Sequence, residues 1–405
     1  MRPRPQLSLT LLLASAILAP AAQAAPVRVE FWHAMGGVKD TVARYARDFN
    51  ASQTTYEVVP VAYGTYRDLL PKLQDALKNG SAPALAQLEF TQFPTLAAQG
   101  DLTDLSRAVA AVPGPLSGDV YPAVWKSGQL GAKTYGLPWN VSVPVLLYNA
   151  GALRKAGVSF QDTWTGLETA SRTLATGGRR PLIAAADAWT FEANVLSRGG
   201  TLVEGTRPTL NSPEAVEALT QLARMSAGGQ AQPRTLGEAT RGAFDFARGQ
   251  NLFVPASVAN WIDARKLPFF TLGIAPFPCE KAGCTVPLGG AVLSIPRGTP
   301  AAGQAGALAF WQYLMDPARL ADWVQATAYA PPRRAVTPLL DGWYAKNPQL
   351  RAAHAQMTRA VPRPTLPDYS GWTVLIEQAI TRATSGQVSA KAALDDAQQG
   401  ALKWK

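Results

Sequence analysis

Few of the side chains that do covalent chemistry occur in this chain. Two histidines, His33 and His354, and two cysteines, Cys279 and Cys284, are spread over 405 residues. Neither a G-x-S-x-G elbow nor an H-E-x-x-H motif is present. A hydrolase would have to use His33 and Glu89 as acid and base, or bring Glu89, Asp187 and Glu192 together as paired carboxylates. Both arrangements are thin equipment, and His354, in an Ala-rich helical segment, reads as a surface residue. Binding is the other use for the same groups. Glu89 stands at the end of an apolar strand, with Tyr66 at the exit of another, and a carboxylate beside tyrosines is more than composition requires. The plainer alternatives are Glu89 as a solvated loop acid and Tyr66 as core. The cysteines close a short Gly-containing loop, which predicts one structural disulfide trimming a surface hairpin. A metal pair or redox couple would need further ligands or a C-x-x-C spacing.

Those groups have to be positioned by a chain long enough for about two domains at ~100 to 200 residues each. With 47% hydrophobic and 16% charged residues the composition is globular. Residues 1–24 read as a secretory leader: Arg2 and Arg4 as basic n-region, Leu7 to Ala19 as apolar h-region, and Ala22-Gln23-Ala24 as cleavage site. The apolar run is shorter than the ~20 residues a membrane span needs, and no cysteine sits at the cleavage point to carry a lipid. The expectation is an exported, soluble, periplasmic protein. Formal charge is +10, of which Arg2 and Arg4 leave with the leader. The remaining basic residues are scattered, without the clustered footprint of nucleic-acid binding.

Strand and helix signals alternate along the chain. Val27 to Trp32 and Tyr56 to Ala62 read as strands, Asp40 to Asn50 as a helix, and Leu69, Leu73, Ala76 and Leu77 mark another. Pro71 is tolerable only near that helix's start. Ala84 to Leu88 is a buried strand. Three successive strands therefore end near His33, Tyr66 and Glu89, and ligands of such α/β sheets sit beyond the carboxyl ends of the strands. A polar corner at Trp139 to Ser142 feeds an apolar strand from Val143 to Tyr148, and Asn149 reads as N-cap of a helix that stops at Gly157. A second α/β series follows, with a helix over 164–174, a strand over 181–185, and a helix opened by Ser212-Pro213. A strand over 252–256 ends at Ser257. Thr285 to Ile295 holds Gly289-Gly290, which marks a bend or a close backbone approach. Helices dominate the remainder, among them 372–382 and a last one from Ser389.

Several separated motifs together resemble one family. They are Phe31-Trp32-His33-Ala-Met-Gly, Gly64-Thr-Tyr66, the strand ending at Glu89, and Asn140-Val-Ser142-Val-Pro-Val. Leu288-Gly289-Gly290-Ala and Trp323 with Ala328-Tyr329-Ala-Pro complete the set. Their types and order are similar to the glycerol-3-phosphate-binding branch of the family 1 extracellular solute-binding proteins of ABC importers. The resemblance implies a two-lobe α/β periplasmic-binding-protein fold of type II, maltose-binding-protein-like, with hinge crossovers and a C-terminal helical segment. Residues 26–138 with 291–340 would form one lobe and 146–285 with 341–405 the other, hinged near 139–145 and 286–291. It implies no catalytic residue, cofactor or metal, and a monomer that captures glycerol 3-phosphate, a glycerophosphodiester or a sugar and delivers it to the permease subunits.

Carried over position by position, the ligand contacts fall on Tyr66, Glu89, Ser142, Ser257, Gly290 and Tyr329, with Trp189 near the glycerol end and Trp32 and His33 lining. Asn260 competes with Ser257, and Gly289 with Gly290. Trp32, Trp139 and Trp189 would stack on a sugar face or a choline cation. One departure matters. Where the family holds its phosphate with an arginine in a Leu-Arg-Leu-Gly-Asn context, this chain has Val361-Pro-Arg363-Pro-Thr-Leu-Pro. Arg363 is either a shifted phosphate contact or a surface arginine.

Overall fold

The computed structural model describes residues 25–112, 116–266 and 270–404. The expected leader lies outside the described residues. Two five-stranded sheets form the two lobes. In the first the strands run in the order Tyr56–Ala62, Val27–His33, Leu85–Glu89, Gly289–Ser294, Leu137–Ser142. In the second the order is Ala231–Arg234, Leu182–Ala185, Phe253–Ser257, Pro144–Asn149, Leu272–Pro276. Each sheet has one strand running against the other four, Gly289–Ser294 in the first and Pro144–Asn149 in the second. That odd strand is in both cases the one arriving from the other lobe.

Local sequence explains most elements. Helix Lys39–Ser52 buries Val42, Tyr45, Ala46 and Phe49 along one stripe, the spacing of a half-buried helix. Asn149 caps helix Ala150–Ala156 by accepting from Ala152 N, and Gly157 ends it in the left-handed region at φ 65°. Ser212 caps helix Pro213–Ala227 with proline at its first position. Helix Tyr66–Lys78 departs from expectation. Thr65 and Asp68 form a capping box, so the helix opens at Tyr66 and encloses Pro71.

The first crossing between sheets takes one residue, Val143, whose carbonyl accepts from Val258 N at 3.0 Å. The return leaves strand Leu272–Pro276, passes the Cys279–Cys284 disulfide, and pairs Val286–Pro287 in parallel with Ala360–Val361 before entering the first sheet. The disulfide is therefore formed as expected, on a connection between two sheets and not on a hairpin. Gly290 has φ 113°, and an added Cβ would overlap Asn140 O, so only glycine makes this bend.

Helices Tyr369–Thr384 and Ala390–Lys403 pack on each other and on Pro213–Ala227. Gln398 fixes the last one by accepting from Leu210 N at 2.7 Å and donating to Pro208 O at 2.8 Å. Helix Pro348–Ala355 lies against strand Leu272–Pro276, and His354 on it reaches back to the other side. Its Nε2 donates to Ala328 O at 3.1 Å, so Nδ1 accepts the Tyr344 hydroxyl at 2.8 Å. His354 is buried, not at the surface as its Ala-rich setting suggests. Among the described residues no helix is long and apolar enough to cross a membrane.

Candidate ligand-binding cleft

A cavity of about 950 Å³ opens between the first turn of helix Tyr66–Lys78 and the end of strand Leu85–Glu89 on one side, and helices Ala188–Ser197 and Tyr369–Thr384 on the other. Tyr66, Glu89, Trp189 and Arg363 all line it. Two unlike networks meet there. One is uncharged: Asn140 Nδ2 donates to the Tyr66 hydroxyl at 3.1 Å, Gln87 Nε2 donates to Asn140 Oδ1 at 2.7 Å, and Gln87 Oε1 accepts from Ala34 N at 2.8 Å. Behind it Tyr329 stacks on Trp323 with ring centroids 5.7 Å apart. Burial, and then the neighbouring Tyr329, hold the Tyr66 phenol well above its ordinary range, and burial raises Tyr329 as well. Both hydroxyls stay protonated and can donate.

The other network is ionic. Arg363 Nε donates to Glu192 Oε2 at 2.9 Å and Nη1 to Glu89 Oε1 at 3.2 Å, while the Tyr369 hydroxyl donates to Glu192 Oε2 at 2.8 Å. Only 4% of the Arg363 side chain is exposed, so the surface alternative does not hold. Burial works against its cation, yet Glu192, Tyr369 and Glu89 outweigh that cost and push its pKa up. For Glu89 burial dominates and raises its carboxyl above the usual range, with Arg363 opposing and Asp187 adding to the rise. Glu89 and Glu192 thus converge, as the hydrolase alternative asked, but on a guanidinium that occupies them both.

The remaining expected contacts fall elsewhere. Strand alternation turns Asn140 toward Tyr66 and Trp139 to the opposite face. Trp139 is fully buried, 4.8 Å from the Trp323 ring, so it is core and stacks on no ligand. His33 shares the core face with Phe31, and its Nδ1 accepts from Met35 N at 3.3 Å. Burial lowers its pKa to about 4, which makes it a neutral turn cap outside the cavity. Trp32 points to the other face of the sheet, against Tyr63, and donates to Glu30 at 2.6 Å, also outside. Ser142 is buried at the crossover, where a Cβ on Gly289 would meet Ser142 Oγ and Trp189 Cζ2, each at 2.6 Å. Gly289 is thus the close approach over which Trp189 lies, and Gly290 is bent against Asn140. Ser257 and Asn260 cap each other's backbone at the end of strand Phe253–Ser257 and line a neighbouring cavity of about 520 Å³. Asp187 and Trp189 line both spaces.

Sequence reasoning missed several residues of the large cavity. Arg67, Gln92, Asp368, Glu377 and Trp404 line it. Arg67 was findable, since Thr65-x-x-Asp68 places it in the first turn beside Tyr66. Nothing local announces Trp404. Two further ties span the cleft: Arg67 Nη2 lies 3.3 Å from Glu377 Oε2, and Thr95 Oγ1 donates to Pro367 O at 2.6 Å. Among the described residues no group of three or more His, Cys, Asp or Glu could hold a metal.

Two lobes joined by short crossovers around a polar cleft define a solute-binding protein, and residues 44–352 match the bacterial extracellular solute-binding protein family. The chain belongs to that family. It is 27% identical to the sn-glycerol-3-phosphate-binding periplasmic protein UgpB of Escherichia coli K12, over 91% of this chain and 90% of that protein. Its fold is similar to the crystal structure of UgpB from Mycobacterium tuberculosis in complex with glycerophosphocholine: TM-score 0.83, 21% identity, 94% of this chain and 98% of that one. It is as similar to the GacH receptor of Streptomyces glaucescens, solved unliganded and with acarbose: TM-score 0.83, 22% identity, 94% and 100% covered.

Proposed function

We propose that this protein captures a glycerophosphodiester carrying a cationic head group, periplasmically, and delivers it to the permease of an ABC importer. The observation that carries this reading is the charge of the cleft. Four carboxylates, Glu89, Asp187, Asp368 and Glu377, line the large cavity against two guanidinium groups, Arg67 and Arg363. Arg363 already has its charge offset by Glu89 and Glu192, and Arg67 pairs with Glu377. A phosphate monoester dianion would enter a site with no uncommitted cation, against like charge. A diester carries one negative charge, which Arg363 Nη2 and the Tyr66 hydroxyl can meet, and its ammonium group meets the surplus carboxylates.

The working parts are two lobes, residues 26–138 with 291–340 and 146–285 with 341–405, pivoting at Val143 and Leu288. Glu89 faces the ligand from one lobe, Trp189 and Arg363 from the other. A ligand that touches both walls favours the closed state by its differential affinity for that state, and the closed state is what the permease engages. A sugar is the second reading, favoured by the grouping of Tyr66 and Trp189 with carboxylates, a pattern that suits ring faces and hydroxyls.

The test is a thermal-shift panel of glycerophosphocholine, glycerol 3-phosphate, glycerol, maltose and inorganic phosphate. A ligand at a hundredfold excess over its Kd adds ~2.7 kcal/mol. The expected result is the largest shift with the diester and none with glycerol or maltose. A shift with maltose alone would move the protein to the sugar reading and leave the hinge intact.

A further inference from the structure

The indole of Trp404, at the end of the last helix, lines the same cavity as Glu89 and Arg363 and is 43% exposed. Its seat is built. Gly371 is the third residue of helix Tyr369–Thr384, and a Cβ there would overlap Cε2 and Cζ2 of the indole. Glycine is a poor choice inside a helix unless something must approach its backbone closely. Here the approaching group is Trp404, whose indole edge occupies the space a Cβ would take while the ring also lines the cavity. Leu70, from the other lobe, and Val374 line the cavity with it.

The cavity that ring lines carries a net sign. Glu89 and Glu377 are paired with Arg363 and Arg67, so among the described residues the cavity's carboxylates without an arginine are Asp368 and Asp187. Asp187 caps helix Ala188–Ser197 by accepting from Thr190 N. Asp368 directly precedes the helix that carries Gly371. An aromatic ring in one cavity with carboxylates that no arginine pairs is the arrangement that holds an organic cation: the ring quadrupole and the carboxylates both attract it, and the ring replaces water on its apolar surface.

We infer that Trp404, seated on Gly371, forms an outer subsite at the mouth of the cleft that takes the ammonium head group of the ligand, and so sets its preference for a cationic diester. The proposal rests on the diester reading above and adds to it the residue that selects the head group. The glycerophosphate portion would lie deeper, against Glu89, Tyr66 and Arg363. Leu70 belongs to the first lobe and Trp404 to the second, so the subsite is complete only when the lobes are together, and the head group contributes to closure.

Calorimetric titration of the wild type, W404A, W404F and G371A with glycerophosphocholine and with glycerol 3-phosphate tests it. The readout is the ratio of the two affinities. W404A should lower the diester-to-monoester ratio about tenfold, G371A should lower it by displacing the ring, and W404F should keep it within about threefold. Melting of the ligand-free variants reports whether each is folded, and W404F against G371A decides the matter should W404A not fold. An unchanged ratio in W404A and G371A, with the wild type binding the diester, would overturn the subsite alone. A wild type that binds no diester would overturn the ligand reading and the subsite with it, and that result is visible before any variant is made.

Discussion

The two walls of the cleft are built in opposite ways. The hydrogen-bond network on Tyr66 is neutral, and Asn140 and Gln87 pass hydrogen bonds from the turn after strand Val27–His33 to the phenol. Around Arg363 every group but Tyr369 is charged, and one guanidinium joins Glu89 of the first lobe to Glu192 of the second. A neutral network of this kind fixes shape, and trimming one member costs ~1 to 3 kcal/mol for the buried group left unpaired, less than an orphaned charge costs. A buried ionic cluster is costly to assemble and much more costly to break, since removing one member leaves a buried charge alone. On the proposed reading the neutral wall selects shape, and the charged wall selects charge and couples that choice to lobe closure.

Breaking the charged wall should have the largest effect. Arg363→Ala leaves Glu192, 7% exposed, without its cation, and should cost ~3 to 5 kcal/mol of folding stability in denaturant titrations as well as ligand binding. A loss under ~1 kcal/mol would mean the cluster relaxes into water. Acid should act next, through the two buried histidines. His33 and His354 have pKa values lowered by burial to about 4, so the folded state favours their neutral forms. Their contribution is fully present above the ordinary histidine value and is lost as pH falls from about 6.5 toward about 4, by on the order of 3 kcal/mol each. His354 supports the Ala328–Tyr329 turn through Ala328 O, so His354→Gln should flatten the acid limb of a melting-temperature profile; an unchanged limb would place the titration elsewhere. Glu89 has the opposite sign: its raised carboxyl stabilises below the ordinary glutamate range and that contribution is lost as pH rises through its folded-state value.

Smaller effects sharpen the contrast. Glu89→Ala should abolish diester binding, at least a hundredfold by calorimetry (~2.7 kcal/mol), while shifting the ligand-free melting temperature little, because a third of the side chain is exposed. Unaltered affinity would remove Glu89 from the site. Tyr66→Phe should cost the least, ~1 kcal/mol in affinity, with no change in the preference between diester and monoester. A changed preference would show that the neutral wall also reads charge.

The fold was legible where short-range rules decide it. Asn149 and Gly157 bracket a helix, Ser212-Pro213 starts one, and Gly289-Gly290 marks the close approach of the return strand to Asn140 and Trp189. The candidate site was legible where a strand end decides it, as at Glu89, which lines the cavity. It was misread where side-chain direction decides: Trp139 and Asn140 are neighbours in sequence, and a one-residue difference in phase sends one to the core and the other to the phenol. The partners of Arg363 could not be read at all, because Glu89 and Glu192 are brought to it over 274 and 171 residues. Trp404 was invisible for the same reason, its place being set by Gly371 on the preceding helix.

The most direct test of the central claim is a calorimetric comparison of glycerophosphocholine and glycerol 3-phosphate on the wild-type protein at neutral pH. If the charged wall admits only a ligand whose net charge is balanced, the diester binds more than about tenfold tighter than the monoester, a difference of ~1.4 kcal/mol or more. Tighter binding of the monoester would mean that Arg363 leaves Glu89 and Glu192 to take a dianion, and would contradict the account.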